Sequence, residues 1–235
     1  MADSTVRIGL VLPDVMGTYG DGGNAVVLRR RLLLRGIAAE VVEITLAEPV
    51  PESLDLYTLG GAEDYAQRLA TRHLTRHPGL QRAAGRGAPV LAICAAIQVL
   101  GHWYETSAGE RVEGVGLLDL TTSPQHSRTI GELVSKPLLG GLTQHLTGFE
   151  NHRGGTVLGA AASPLGQVVK GAGNRAGDGA DGAVQGSVVA TYMHGPCLAR
   201  NPELADWLLS QVVGELPPLE LPEVDLLRRE RLSAR

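Results

Sequence analysis

The chain has 235 residues, 43 % of them hydrophobic, and a formal charge of −4. That is enough apolar content for one sizeable core, with or without a small annex, and the acidic balance offers no general attraction for nucleic acid or an anionic membrane. Two cysteines are too few for a disulfide framework, "MADSTVRIGLVLPD" lacks the basic start and apolar run of a signal peptide, and no stretch approaches ~18 uninterrupted apolar residues, so a cytoplasmic chain is expected.

The first hundred residues alternate strand and helix signals. "VRIGLVLP" is a short β-branched run, "GDGGN" is a loop that places Asn24 to cap, and "AVVLRRRLLLRG" is a helix closed by Gly36. "AAEVVEIT" and "LDLYTLGG" are two more strands of the buried type, "AEDYAQRLATRHL" is helical, and "APVLAIC" is the next strand. The alternation predicts an α/β fold: a mostly parallel central sheet with helices on both faces, whose ligands sit beyond the carboxyl ends of the strands.

The second half reads differently. "GVGLLDLTT", "RTIGELVSKP", "LTGFENH" and "QVVKGAGN" are short β-like pieces separated by turn residues, expected as antiparallel additions to the same sheet. Residues 171–187, "GAGNRAGDGADGAVQGS", have no periodicity and are expected as a mobile surface loop. The strand "SVVATYMH" then leads into the helix "NPELADWLLSQVVGEL". We place the domain at residues 1–215 and a tail at 216–235, either a short amphipathic helix or without order.

The stretch "APVLAICAAIQVLG" begins as a strand, ends as a helix and puts Cys94 at the join. A strand that turns sharply into a helix holds the intervening side chain in a strained conformation at the sheet's carboxyl edge, facing helix-terminal N–H groups that favour a thiolate. Such an elbow demands small neighbours, and Ala92, Ala95 and Ala96 supply them. Cysteine is also among the most buried residue types, so a plain core thiol stays open on these residues alone. A thiolate nucleophile needs a base, and His194 in "TYMHGPCLARNPE" again ends a strand before a helix, giving a Cys/His arrangement suited to acyl transfer. His73, His77, His102, His126 and His145 are read as structural or surface residues. "GTYGDGGN" lacks the G-K-[ST] of a phosphate loop, and Cys197 three residues after His194 has no second pair to complete a zinc site, so no metal and no cofactor are expected.

"LGGAEDYAQ", "AICAAIQVLG" and "TYMHGP", in this order and spacing, resemble the class I glutamine amidotransferases of the cobyric acid synthase type. Adding "TYGDGGN", "GFENHRGGT" at 148–156 and "HGPCLARNP" narrows the resemblance to the glutaminase subunits of the enzymes that amidate lipid II. The likeness spans roughly residues 6 to 210. The chain departs from the family elbow, which usually reads G-I-C-G-G-Y-Q, by Ala at all three Gly positions and Ile97 for Tyr.

The resemblance implies a reaction in which Cys94 attacks the side-chain amide of L-glutamine and His194 protonates the departing ammonia. It further implies an oxyanion held by the N–H groups of Gly61 and Ala95, with Gln98, Gly60 and Arg128 facing substrate, the planar fork of Arg128 suiting the α-carboxylate. Without a nucleotide site the chain must hand its ammonia to an ATP-using partner, by resemblance a MurT-like synthetase of the Mur-ligase family that amidates the D-glutamate of the lipid II stem peptide to D-isoglutamine. The family also places a Glu two residues after the catalytic His, where this chain has Pro196. The orienting acid is therefore expected from Glu150 or, preferably, from the partner. Two other readings stand beside this one: an amidotransferase of the cobalamin pathway, which would normally carry its synthetase domain on the same chain and for which the early strand "VRIGLVLP" leaves no room, and an inert binding module that has kept the fold.

Overall fold

The computed structural model describes residues 5–233, so the first residues of the N-terminal stretch read above lie outside it. Strands β1 (Val6–Val11), β2 (Ala39–Ile44), β3 (Leu56–Leu59) and β4 (Val90–Ile93) alternate with helices α1 (Gly23–Leu33), α2 (Asp64–Arg76) and α3 (Gly79–Gly85), and α4 (Ala95–Leu100) follows β4 after one residue. β3 and β4 are buried at every position, as strands covered on both faces must be. Then come β5 (Trp103–Glu105), β6 (Arg111–Glu113), β7 (Leu120–Pro137), β8 (Leu146–Leu158), β9 (Gly166–Lys170), β10 (Ala180–Asp181), β11 (Ala183–Gln185) and β12 (Val188–Thr191). Helices α5 (Cys197–Arg200), α6 (Pro202–Val213) and α7 (Pro222–Ser233) close the chain.

The first sheet runs β11-β12-β4-β3-β1-β2, parallel except for the edge strand β11. The chain leaves β1 toward β2 on one side and toward β3, β4 and β12 on the other, so the loops after β1, β3, β4 and β12 meet at one carboxyl edge beside the switch of direction. α1 packs with α5 and α6, while α2 packs with α4. Gly36, at φ +74°, ends α1 as expected, with Ile37 N–H reaching back to the Leu32 carbonyl and Gly36 N–H to Leu33.

Most of the antiparallel strands form a second sheet and do not extend the first; only β11 does that. The 18-residue β7 is its spine, with β8 along one edge and β5 and β9 along the other. β8 reaches the first sheet where Phe149 and His194 exchange backbone hydrogen bonds of 2.8 and 3.2 Å. Residues 171–187 keep an exposed turn only at 175–179; the rest of the stretch is docked. They contain β10 and β11, the Asn174 side chain exchanges two hydrogen bonds with the Gly182 backbone, and the buried Asp181 accepts from Thr191 of β12. Small residues without periodicity let backbone dock closely, and here it docks. The tail is helical over Pro222–Ser233, where α7 buries Arg228, whose guanidinium donates to the Arg200 and His145 carbonyls.

Candidate active site

Cys94 sits between β4 and α4 with φ 54° and ψ −110°. A non-glycine residue in that region costs on the order of 1–3 kcal/mol and persists only where packing on both sides over-determines it. Here Cys94 N–H donates to the Thr191 carbonyl of the neighbouring strand, and Ala92, Ala95, Ala96 and Ile97 are all buried around the turn. Ile97 N–H closes the first turn of α4 on the Cys94 carbonyl at 2.9 Å, while the N–H groups of Ala95 and Ala96 ahead of it have no intrahelical acceptor.

His194 follows β12, the strand next to β4. Its Nδ1 donates to the carboxylate of Asp21, 2.9 Å from Oδ2 and 3.1 Å from Oδ1, and both side chains are essentially fully buried. Its buried Nε2 has no hydrogen-bond partner of its own, and the Cys94 sulfur lies close enough to act on the ring's charge. Burial pushes the imidazole pKa down, but the bond to Asp21 and the neighbouring Cys94 outweigh it, and the ring ends at about 10.

In this chain alone the carboxylate that meets His194 Nδ1 is Asp21, which corrects the expectation of Glu150. Glu150 is engaged elsewhere: its two oxygens accept the Ala172 and Gly173 N–H groups, so it clasps the glycine-rich stretch. Pro196, where the family's Glu would stand, packs against Gly23, and a Cβ at Gly23 would come within 2.3 Å of its ring. Asn24 does not cap α1 either; it lies within that helix and accepts Leu198 N–H at the start of α5.

The Asp21 loop is stitched to Gly61 in both directions, by Thr18 N–H to the Gly61 carbonyl and Gly61 N–H to Asp21 Oδ2 at 2.8 Å. In the chain without substrate the Gly61 amide, expected in the oxyanion hole, donates to that carboxylate. Glycine is required for another reason: a Cβ there would lie 2.8 Å from His194 Cε1, 3.3 Å from Asp21 and 3.5 Å from Cys94 Cβ, at the meeting point of all three. Gly60 permits close approach too: a Cβ there would strike the Met16 carbonyl and the Asp21 side chain.

Cys94 and His194 open into a cavity of about 220 Å³, walled also by Ala95, Gln98, Arg128 and Tyr19. Gln98 accepts from Gln67 at 2.8 Å and points its amide nitrogen at the Tyr192 hydroxyl. Arg128, half-exposed, donates through Nε to Asn151 at 2.6 Å and leaves Nη2 a loose 3.7 Å from Glu63. Among the described residues there is no cluster of His, Cys, Asp or Glu that could hold a metal ion. Nor is any helix there long and apolar enough to cross a membrane.

Residues 7–202 match the CobB/CobQ-like glutamine amidotransferase domain. The chain belongs to this family. It is 36 % identical over 217 residues to the GatD subunit of the glutamine-hydrolysing lipid II isoglutaminyl synthase of Staphylococcus aureus (strain N315), a match covering 91 % of this chain and 87 % of that protein. The GatD subunit of Streptococcus pneumoniae (strain ATCC BAA-255 / R6) is 33 % identical over 223 residues, covering 92 % and 85 %. Among solved structures, the Trypanosoma brucei CTPS glutaminase domain with bound acivicin superposes with a TM-score of 0.55, covering 92 % of this chain and 97 % of that one. At 9 % identity that likeness is one of fold. Cys94 and His194, the nucleophile and base expected from the sequence, stand at the carboxyl ends of the neighbouring strands β4 and β12.

Proposed function

We propose that this chain is the glutamine-hydrolysing subunit of a lipid II isoglutaminyl synthase, working with a MurT-like, ATP-dependent synthetase of the Mur-ligase family that amidates the D-glutamate of lipid II. The observation that carries the chemistry is the buried Asp21–His194 pair beside Cys94, with sulfur on a strained elbow and the ring held through Nδ1. Support for the substrate comes from the two GatD relatives, which match along nearly the whole of both chains.

In this reading His194 holds the proton and the Cys94 sulfur attacks the side-chain carbonyl of glutamine. The C–N bond breaks as His194 gives its proton to the departing ammonia, leaving a thioester on Cys94. Water, deprotonated by the now neutral His194, then cleaves the thioester to glutamate. Ala95 N–H stabilises the oxyanion of each tetrahedral intermediate; donors of this type are worth about 2.7–4 kcal/mol each. Asp21 stabilises the imidazolium that the cycle requires. Arg128 binds the α-carboxylate, and Gln98 is the polar wall beside the elbow.

The test supplies amide-¹⁵N glutamine, ATP and lipid II to the chain together with its synthetase. The label is expected in the isoglutamine carboxamide of lipid II. Hydrolysis with label only in free ammonia, or delivered to a corrinoid acid instead, would overturn the assignment.

A further inference from the structure

Arg128 and Tyr19 come from different parts of the fold, β7 and the loop after β1, yet both are fastened to one side chain. Asn151 of β8 accepts Arg128 Nε on Oδ1 at 2.6 Å and donates through Nδ2 to the Tyr19 hydroxyl at 2.9 Å. The orientation of that amide is forced, because a guanidinium can only donate. The Tyr19 oxygen therefore receives a hydrogen bond, and its own O–H, with no acceptor among the described residues, is available to donate into the cavity it borders.

Tyr19 has two further marks of a placed residue. Its backbone is held at φ +62°, one of three non-glycine positions with positive φ among the described residues, Cys94 being another. Its ring stands edge-on to His194 with centroids 4.9 Å apart, yet 44 % of the residue is exposed, so it roofs the catalytic base and still meets solvent. Glu63, on the outer edge of Arg128 and well exposed, forms the sort of surface pair that contributes ~0–1 kcal/mol and that an incoming carboxylate can replace.

We propose that the Tyr19 hydroxyl and the Arg128 guanidinium together form a two-donor seat for the substrate α-carboxylate, with Asn151 as the positioning residue that sets both. One carboxylate oxygen takes the outer edge of Arg128 and the other takes the Tyr19 proton, while Nε stays on Asn151. This deepens the glutaminase reading and rests on it. The seat accepts α-amino acids with a free carboxylate and rejects their α-amides.

The test measures alkylation of Cys94 in the full chain by two reagents: a chloroketone analogue of glutamine bearing the α-carboxylate, and iodoacetamide, which has none. Tyr19→Phe is expected to raise the half-saturating analogue concentration about tenfold, the effect of losing one hydrogen bond to a charged group. Iodoacetamide labelling should stay within about twofold. Asn151→Asp, which cannot donate to Tyr19 and sets a charge beside Arg128, should raise it further. Unchanged half-saturation in Tyr19→Phe, or equal changes with both reagents, would overturn the seat. If wild-type Cys94 reacted with iodoacetamide but never with the analogue, the glutaminase reading would fall and the seat with it.

Discussion

The two cysteines of this chain are both buried and both stand at strand-to-helix junctions of the same sheet edge, yet their surroundings could hardly differ more. Cys94 borders a polar cavity, sits in strained backbone and faces a histidine that carries its own carboxylate. Cys197, fully enclosed at the start of α5, receives a hydrogen bond from the Asn201 amide at 3.5 Å, and burial pushes its thiol up to about 12. Burial alone thus says little about a cysteine's reactivity; what decides is whether charge and hydrogen bonding on the open side favour the thiolate.

The contrast can be broken by mutation. Cys94→Ala should abolish glutamine-dependent amidation outright while ammonia-dependent amidation by the synthetase persists, measured as product formed from each nitrogen donor. Arg128→Ala should raise the KM for glutamine by about 10–100-fold, as loss of a charge-assisted pair would, with the melting temperature held within ~2 °C. Arg128→Lys should rescue only part, lacking the planar fork. Cys197→Ala should leave glutamine turnover intact and cost about 1 kcal/mol in urea unfolding, the signature of a small void in a packed core.

The pH dependence sharpens the same contrast. The folded His194 titrates at about 10 against 6.5 for the unperturbed ring. Its contribution to stability is therefore full below 6.5 and fades as pH rises through 10, because over that window the folded chain binds a proton that the unfolded chain has released. The stability gap between wild type and Asp21→Asn should shrink across the same window, followed by chemical unfolding at several pH values.

Cys94, His194 and the parallel sheet were legible because each rests on local signals: buried β-branched runs, small residues around a turn, a polar residue closing a strand. Asp21 was not, since its partner lies 173 residues away and the glycines around it read as an ordinary turn. The usable signal was its place in the loop after β1, which in a parallel sheet opens on the same edge as the loops bearing Cys94 and His194. That Gly60 and Gly61 make room for Asp21 and His194 is a matter of tertiary approach that no spacing records. The second sheet and the docked glycine-rich stretch escaped for a related reason: strand pairing across a chain is set by register between distant segments, and small residues leave that register unmarked.

The most direct test of the account is glutamine hydrolysis by Asp21→Asn in complex with the wild-type synthetase. Asparagine keeps the shape but loses the charge and can fix the wrong imidazole tautomer, so kcat should fall on the order of 10³–10⁴-fold even with the partner bound. Undiminished turnover in that complex would contradict the assignment and show that the acid serving His194 is not Asp21.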